Sequence, residues 1–328
     1  MRFCINHLKK KLLWSFQRNL HNFTVCLSNL KYDIKKIFKI NDLIIINSWI
    51  DFRNGKIIHR NLGDDLNYYI FKELTNVPIR FYHSTFLSII KRTNYICIGS
   101  VISHGNSRSI IWGGGLISNS SLIHKPKKVL AVRGPRTRQR LIQAGIECPK
   151  VYGDPALLLP YIYNPLTSPE SNTPNKIGLI FNAADEKPGS IYVNSHNCFF
   201  TQISMTKYTK WQHVIDEIKE CKLILSSSLH GLILADAYEI PNIWVSFNDN
   251  NNIIGGDFKF LDYLESVNRH QTKPVGLETI IEEGIDKYLN LIEKPTINLK
   301  PLINNCPFKI NITQRQTNDS PKDTLLLV

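Results

Sequence analysis

The sequence predicts an α/β fold with two Rossmann-like lobes and a central cleft. Short β-branched runs such as DLIIINSW and KVLAVRG alternate with helix-like segments, which is typical of parallel sheets. The alternation repeats after the Pro-rich stretch at 163–175, so two similar halves follow one another along the chain. A length of 328 residues also exceeds one ordinary domain of about 150 residues. We therefore expect ligands to bind between the lobes, at the carboxyl ends of the strands.

Composition places the chain among globular proteins with anionic partners. Hydrophobic residues make up 43% and charged residues 20%, which excludes a mainly disordered chain. The net charge of +13 predicts anionic partners. The longest apolar runs are strand-sized, so no membrane span is expected. The seven cysteines form no CxxC pair, which argues against a zinc site or a disulfide framework and favours a cytoplasmic protein.

Residues 1–40 form a basic N-terminal segment. They carry nine Lys or Arg and one Asp, which accounts for +8 of the net +13. Apolar residues recur among these cations at helical spacing, namely Leu8, Leu12, Leu13, Phe16 and Leu20. The pattern predicts an amphipathic helix in peripheral contact with the inner face of an anionic membrane. The alternative is a solvated helix packed on the first lobe.

The N-terminal Rossmann-like domain is expected at 41–165. Its strands lie in DLIIINSW, YICIGSVI, SIIWGG and KVLAVRG, each of which ends in Gly, Asn or Ser. Helical periodicity follows in DLNYYIFKEL and PRTRQRLIQAG. The segment VYGDPALLLP at 151–160 closes this domain, and the Pro-rich stretch leads into the next one.

The C-terminal Rossmann-like domain is expected at 166–295. KIGLIFNA, CFFTQIS, LILSSS and NIWVSF supply its strands, and KWQHVIDEIKEC and HGLILADAYEIP supply helices. Residues 276–295 predict one terminal helix. Residues 296–328 are polar with an apolar end, and most of this tail is expected to be weakly ordered.

The first candidate motif is NLGDDLN at 61–67, where a strand and its connection give way to a helix. Gly63 permits a tight turn, and Asp64 is suited to capping the helix that follows. The functional alternative places Asp64 in the cleft as a base toward a hydroxyl, with Asn61 and Asp65 beside it as substrate-binding residues.

The second motif is IWGGGL at 111–116. Glycines after a strand let the backbone approach a ligand, and the N–H groups of Gly113 and Gly114 can then bind an anion. Such runs are equally common as tight turns.

The third motif is AVRGPRTRQR at 131–140. Arg133 and Arg136 lie near a helix N-terminus and oppose its dipole, which costs stability unless an anion compensates their charge. This placement predicts that both bind substrate, whereas Arg138 and Arg140 are expected to face solvent.

The fourth motif is SSSLHGLILADAYEIPNIW at 226–244, a strand that ends in serines and leads into a helix. An imidazole at a helix N-terminus is favoured in its neutral form, and a nearby anion can tune it as a proton donor or acceptor. His230 is therefore a candidate catalytic residue that points into the predicted cleft. A structural role for this histidine is the alternative.

These motifs, together with YGDPALLLP and with GGDFKFLDYLES at 255–266, resemble the polysaccharide pyruvyl transferase family in order and spacing. The resemblance runs from about residue 43 to residue 270. It implies transfer of the pyruvyl group of phosphoenolpyruvate onto a sugar of an exopolysaccharide, a capsule or another cell-surface glycan, as a ketal. It implies no redox cofactor, and it implies a saccharide acceptor, free or lipid-linked. Metal dependence stays open and no metal ligand is assigned, because Asp64, Asp65 and Asp154 show no recognisable ligand spacing.

The resemblance also implies roles for individual residues. His230 matches the acid or base near the donor, and Arg133 matches an anion-binding residue. Some relatives carry an arginine before Leu-His-Gly that holds the donor, and this chain has Ser228 there. Either Ser228 binds the phosphate or another cation replaces that arginine. Lys259, in DFKF, is the candidate for that replacement.

Two other functions fit parts of the sequence. A nucleotide-sugar glycosyltransferase of the two-lobed glycosyltransferase-B type would share the fold. Retaining members of that type often have two glutamates eight positions apart in the helix motif, where this chain has Ser228 and Asp236. A non-enzymatic basic module for acidic polymers is the third possibility, although no nucleic-acid-binding motif is present and no nucleic-acid partner is expected.

Overall fold

The computed structural model of the protein describes residues 2–35, 43–59, 61–75, 77–90, 93–165, 176–186, 200–247 and 255–310, with side chains from residue 15 onward. In chain order the strands are β1 Ile44–Ile46, β2 Asp51–Arg53, β3 Lys56–Ile58, β4 Ile79–Phe81, β5 Asn94–Ile96, β6 Ser109–Trp112, β7 Lys128–Ala131, β8 Lys176–Ile180, β9 Phe200–Gln202, β10 Cys221–Ser226, β11 Asn242–Ser246 and β12 Val275–Gly276.

These strands form a mixed α/β protein with two parallel sheets, as the sequence predicts. The first sheet has the order β4-β1-β5-β6-β7, and the second has the order β12-β11-β10-β8-β9. Strands β2 and β3 form a separate antiparallel hairpin. Ile44–Ile46 and Leu223–Leu225 are buried throughout, as expected for strands that are covered on both faces. Each such side chain contributes roughly 1.5–3 kcal/mol through its removal from water.

Helices connect the strands and cover the sheets. In chain order they are α1 Arg2–Ile34, α2 Leu62–Thr75, α3 Leu87–Ile90, α4 Pro135–Gln143, α5 Trp211–Lys219, α6 Leu229–Ala237, α7 Phe258–Ser266, α8 Leu277–Glu283 and α9 Lys300–Asn304. Helix α2 shows why they form, because Leu62, Leu66, Ile70 and Leu74 recur every fourth residue and are all buried. Across the described ranges, no helix is both long enough and apolar enough to span a membrane.

Helix α1 packs on the first sheet through polar side chains. Asn29 is buried, and its Nδ2 donates to the carbonyl oxygens of Phe52 and Ser84 at 2.7 and 2.9 Å. Asp33 is buried as well and accepts from Arg80 Nε at 2.7 Å. The buried side of α1 therefore combines Asn29 and Asp33 with the apolar Val25 and Cys26, and larger apolar residues of the helix remain exposed elsewhere on it.

The C-terminal region differs from the sequence-based expectation in two places. The helix expected over 276–295 is interrupted at Gly284, whose φ of 86° lies outside the helical region, and a 3₁₀-helix continues over Ile285–Leu291. The segment after residue 296, expected to be weakly ordered, packs on the first sheet up to Phe308. Trp112 Nε1 donates to the Leu302 carbonyl at 2.8 Å, and Leu302 is fully buried. Residues 311–328 lie outside the described part of the chain.

Candidate active site

The start of α2 is capped by Asn61. Its Oδ1 accepts from the Gly63 N–H at 3.1 Å, and its carbonyl accepts from the N–H groups of Asp64 and Asp65. The capping role considered for Asp64 is therefore filled by Asn61. Asp64 lies in the first turn of α2 with its side chain partly exposed, and Asn61 Nδ2 donates to its Oδ2 at 3.3 Å.

His230 comes from the second sheet and meets this turn. The helix α6 starts just after β10, so its second residue lies at the carboxyl end of that strand. The imidazole lies directly against Gly63, where a Cβ atom would collide with its Nδ1. Glycine is thus required at residue 63 for this close approach, which brings a side chain of the second sheet beside Asp64 of the first.

The His230 imidazole is neutral and incompletely bonded. It is 9% exposed, and its Nε2 has no hydrogen-bond partner among the residues that the structure describes. Burial is the main cause that lowers its pKa to about 3, and the positive charges of Arg133 and Lys259 contribute to the same shift. A buried polar atom without a partner costs stability, so Nε2 is available for a bound ligand.

Asp64 is tuned to change its charge near neutral pH. Burial raises its pKa to about 7, with a further contribution from Asp65, while Lys259 and the hydrogen bond from Asn61 act in the opposite direction. A carboxyl group with a pKa near the working pH is well suited to transfer protons in catalysis. Its partial exposure leaves it accessible to a substrate.

Lys259 supplies a cationic group beside Asp64 and His230. It lies in the first turn of α7 and is half-buried. Its pKa is lowered to about 8, mainly by burial and also by the charge of Arg133, against the opposing effect of Asp64. The sequence analysis proposed Lys259 as a site residue from its motif. In the structure its charge lies close enough to change the pKa values of Asp64 and His230.

Arg133 is held rigidly inside the protein. It is fully buried, its Nε donates to Asp262 Oδ2 at 3.0 Å, and its Nη1 donates to Ser100 Oγ at 2.7 Å. Its Nη2 donates to the Leu116 carbonyl at 2.8 Å. The guanidinium lies over Gly115, where a Cβ would collide with it. Arg133 therefore acts on the site through its charge, which lowers the pKa values of His230 and Lys259.

The charges at the start of α4 are compensated by protein carboxylates. Arg136 Nη2 pairs with Glu265 at 2.6 Å at the surface, and Arg133 pairs with the buried Asp262. The sequence-based inference that both arginines need a bound anion is therefore wrong, since both acids come from α7. The same contacts dock α7 on α4, because Asp262 also accepts from the Thr137 N–H and hydroxyl at 2.8 and 2.7 Å.

The glycine run after β6 serves packing. Gly113 N donates to the Ala131 carbonyl and Gly115 N donates to the Gly99 carbonyl, both at 3.0 Å. Gly113 has a φ of 90°, and a Cβ there would collide with Pro155. Gly114 packs equally closely against Ile96. The anion-binding role expected of Gly113 and Gly114 is thus replaced by the tight-turn alternative.

Ser228 and Asp65 take different positions around the site. Ser228 is the residue before α6, and its hydroxyl does not cap that helix. The N-terminus of α6 is thus open to an anion beside His230. Asp65 is buried and turns away, where it accepts a hydrogen bond from the Tyr208 hydroxyl. Its negative charge nevertheless raises the pKa of Asp64.

Three further residues near the site, Ser100, Asp154 and Asp262, are not among the predicted site residues, although Asp154 and Asp262 lie in the motifs YGDPALLLP and GGDFKFLDYLES. Ser100 and Asp262 bind Arg133 from 33 and 129 positions away. Asp154 is buried, its Oδ1 accepts from the Ala156 N–H at 2.9 Å, and burial raises its pKa to about 6. Within the described part of the chain, no three His, Cys, Asp or Glu side chains are grouped as metal ligands.

Asp236, the residue compared with a glycosyltransferase glutamate, lies in a buried cluster. Arg269 Nη1 donates to its Oδ1 at 2.9 Å, and Asn242 Nδ2 donates to the same oxygen at 2.6 Å. Tyr263 donates to Oδ2 at 2.8 Å. This carboxylate is therefore engaged inside the protein, and it offers no contact to a nucleotide ribose.

The fold and the site define an α/β protein with acid–base groups of perturbed pKa beside buried cations, a combination typical of an enzyme that acts on an anionic substrate. The family model of polysaccharide pyruvyl transferase matches residues 7–249, and the chain belongs to this family. An uncharacterized protein of Acanthamoeba polyphaga mimivirus is 27% identical over 219 residues, 65% of this chain and 74% of that protein. No solved structure matches.

The family match and the motifs cover different parts of the chain. The match begins at residue 7, inside α1, whereas the motifs start at about residue 43. The basic helix is therefore part of the family region. The match ends at residue 249, so Lys259 and the two acids of α7 that hold Arg133 and Arg136 lie beyond it.

Proposed function

We propose that this member of the family transfers the pyruvyl group of phosphoenolpyruvate onto a saccharide of an exopolysaccharide, a capsule or another cell-surface glycan, and forms a ketal. The observation that carries the proposal is the convergence of Asp64, His230 and Lys259 from three separate elements. Their geometry fits the two facing lobes of a glycosyltransferase-B arrangement, with the donor between them. No redox step is needed.

Ketal formation requires two proton transfers and the loss of phosphate. A proton is added to the methylene carbon of the donor, and a sugar hydroxyl attacks the resulting cationic carbon. Phosphate then departs with its bonding electron pair, and a second hydroxyl closes the ketal. The two hydroxyl groups lose two protons in total. These balance the proton gained by the methylene carbon and the proton gained by the phosphate. The net reaction needs no external oxidant or reductant.

The site residues have distinct parts in this proposal. Asp64 removes the proton from the attacking hydroxyl, since its pKa of about 7 lets it accept a proton at neutral pH. His230 Nε2 has no partner among the described residues and hydrogen-bonds the phosphate. The negative charge of that phosphate raises the pKa of the imidazole from its low value in the free protein, so that His230 binds a proton and delivers it to the phosphate as it departs. Lys259 and the N-terminus of α6 stabilise the negative charge that develops on that phosphate.

Incubation with phosphoenolpyruvate and a panel of saccharides tests this function. We expect inorganic phosphate to be released only with an accepted saccharide, and the product to carry one acid-labile carboxyl group. A mass increase equal to pyruvate minus water on the saccharide identifies the ketal. Consumption of a nucleotide sugar, with phosphoenolpyruvate left intact, would contradict the proposal and support the glycosyltransferase alternative.

Peripheral binding to an anionic membrane is the second part of the proposal. The outer side of α1 carries an apolar stripe, whose residues follow one another at alternating intervals of four and three positions. Each of them is 39–66% exposed: Phe16, Leu20, Phe23, Leu27, Leu30 and Ile34. An amphipathic helix with such a stripe binds by inserting it among lipid acyl chains.

Charge favours a membrane over a second copy of the chain. Residues 2–35 contain seven Lys or Arg and one acid, Asp33, which is already paired with Arg80. Two copies of α1 packed along their stripes would bring like charges together. Anionic lipid headgroups compensate the same charges, at about 1 kcal/mol for each Lys or Arg near the surface.

Flotation with vesicles tests the stripe. The double substitution Leu20→Asp and Leu27→Asp should abolish binding to vesicles that contain phosphatidylglycerol, because it places carboxylates where acyl chains would lie. Leu122→Asp is the matched control, since Leu122 is 67% exposed outside α1. Unchanged binding by the double variant would contradict the membrane role, as would a shift from dimer to monomer without any effect on flotation.

A further inference from the structure

A cavity of about 190 Å³ lies under α1 at the carboxyl edge of the first sheet. Ser48 follows β1, His83 follows β4 and His104 follows β5, so three neighbouring strands end at this cavity. This edge is where open α/β sheets bind ligands. Neither Asp64, His230 nor Lys259 lines it, so it is distinct from the site described above.

The described walls of this cavity are rich in cations and imidazoles. Helix α1 contributes Arg18 and His21, and the sheet contributes His83 and His104. The carboxylate among the lining residues is Asp51, which accepts from Arg53 Nε and Nη2 at 2.7 and 2.9 Å. The charge of Asp51 is therefore paired with that of Arg53, and Arg18 places a guanidinium in the cavity wall.

Two further observations indicate a site for an anion. Burial lowers the pKa values of His83 and His104, and the charge of Arg18 contributes in the same direction, so both imidazoles are neutral and lie near this guanidinium. A neutral imidazole can donate its ring N–H to an anion that binds beside Arg18. Ser48 Oγ is buried in the same wall and has no hydrogen-bond partner among the described residues. It is thus a free donor directed at a ligand.

Size and lining restrict the ligand to a small polar group attached to something larger. The volume is below the roughly 300–1,000 Å³ of pockets that enclose a whole ligand. Trp49 is 58% exposed at the rim, and its ring contacts His104 edge-on with centroids 4.8 Å apart. A rim of this kind offers an apolar face to a sugar ring whose charged group lies inside.

We propose that this cavity binds the phosphate group of a phosphate-bearing saccharide, held by Arg18, His83, His104 and Ser48. Its role as the acceptor of the pyruvyl group rests on the proposed function, whereas the binding itself does not. One loop links the two sites, because Gly99 lies beside Asp64 and His104 lines the cavity. A saccharide anchored at the cavity would extend along this loop toward Asp64.

The phosphate can come from a soluble sugar phosphate or from a lipid-linked saccharide. Arg18 and His21 lie on the side of α1 opposite the apolar stripe. With 3.6 residues per turn, a residue two positions after Phe16, or two positions before Phe23, points away from the stripe. A phosphate at a membrane surface would therefore meet the cavity beneath the same helix that contacts the lipids.

The proposal is tested by titrating the full-length protein with phosphate probes. Binding is followed by NMR of the histidine side-chain nitrogens and by calorimetry. The probes are glucose 1-phosphate in solution and a polyprenyl phosphate in non-ionic detergent micelles, with glucose as the uncharged control. We expect saturable shifts of the His83 and His104 signals with a phosphate probe and none with glucose. Arg18→Gln should weaken binding by at least about tenfold, because it removes a charge-assisted hydrogen bond.

Lys31→Gln, which removes an equal charge from the exposed side of α1, should change the dissociation constant by less than about twofold. If the polyprenyl phosphate binds more tightly than glucose 1-phosphate, the phosphate group comes from a lipid-linked saccharide. If the two probes bind equally, it comes from a soluble sugar phosphate. Equal weakening by both variants, or no saturable shift with either probe, would overturn the site. If phosphoenolpyruvate is still consumed in that case, the proposed function stands and only the cavity proposal fails.

Discussion

Asp64→Asn is expected to reduce turnover by roughly 10²–10⁴-fold, because the amide has a similar shape but cannot accept a proton from a hydroxyl. Steady-state phosphate release with a saturating donor measures this loss. The donor's dissociation constant should change little, since Asp64 is placed on the acceptor side. Asp257→Asn is the matched control, because Asp257 precedes α7 and makes no capping hydrogen bond. An active Asp64→Asn enzyme would remove the carboxylate from the mechanism.

The dependence of kcat/KM on pH tests the role of Asp64 as a base in a second way. A base works only when it is deprotonated, so kcat/KM should fall about tenfold per pH unit below the Asp64 pKa of about 7. Lys259 lowers this pKa, and Lys259→Met should therefore move the acidic limb to higher pH, in addition to weakening donor binding. A limb that stays in place in Lys259→Met would show that the two groups are not coupled.

The same pKa has a consequence for stability. The folded-state pKa of Asp64 lies above the roughly 3.9 of an unfolded chain, so the fold disfavours the ionised form. Stability is expected to decrease as pH rises from about 4 to 7, and Asp64→Asn should be free of this loss. Thermal unfolding of the variant should therefore occur at a higher temperature than wild type at pH 8, and at a similar temperature at pH 4.

His230→Gln is expected to reduce turnover by a comparable factor, roughly 10²–10⁴-fold, while the protein stays folded. Glutamine fills much of the volume against Gly63 and retains a hydrogen-bonding group, but it cannot transfer a proton. His124→Gln, at an exposed position, is the control. Turnover and thermal unfolding are measured on both variants. Parallel loss of activity and stability in His230→Gln alone would support a structural role for this histidine.

The sequence predicted the sheets, and it singled out Asp64, His230 and Lys259 as candidate site residues, because these signals are local. Buried β-branched runs such as Ile44–Ile46 indicate strands that are covered on both faces, and the strand-to-helix boundary places His230 at a carboxyl end. Asp64 and Lys259 likewise follow from motif positions. The shifted pKa values of Asp64 and Lys259 could not be predicted from the sequence, because they depend on burial and on charges that come from distant parts of the chain.

The errors of prediction have the same physical origin. The sequence placed Arg133 and Arg136 beside a helix N-terminus and predicted a bound anion there, but acids on α7, 129 positions away, compensate both charges. The return of Leu302 to the first sheet is equally remote, because its partner Trp112 lies 190 positions away. For α1, periodicity identified an amphipathic helix but not which side would face the protein, and buried hydrogen bonds through Asn29 decide that.

The structure of a complex with phosphoenolpyruvate tests most directly whether both sheets serve one donor. The account predicts that the donor phosphate lies at the N-terminus of α6, within about 3 Å of His230 Nε2 and within reach of Lys259. The donor's methylene carbon should face the side of the cleft that holds Asp64. Phosphoenolpyruvate bound away from His230, with Asp64 out of reach of any part of it, would contradict the account.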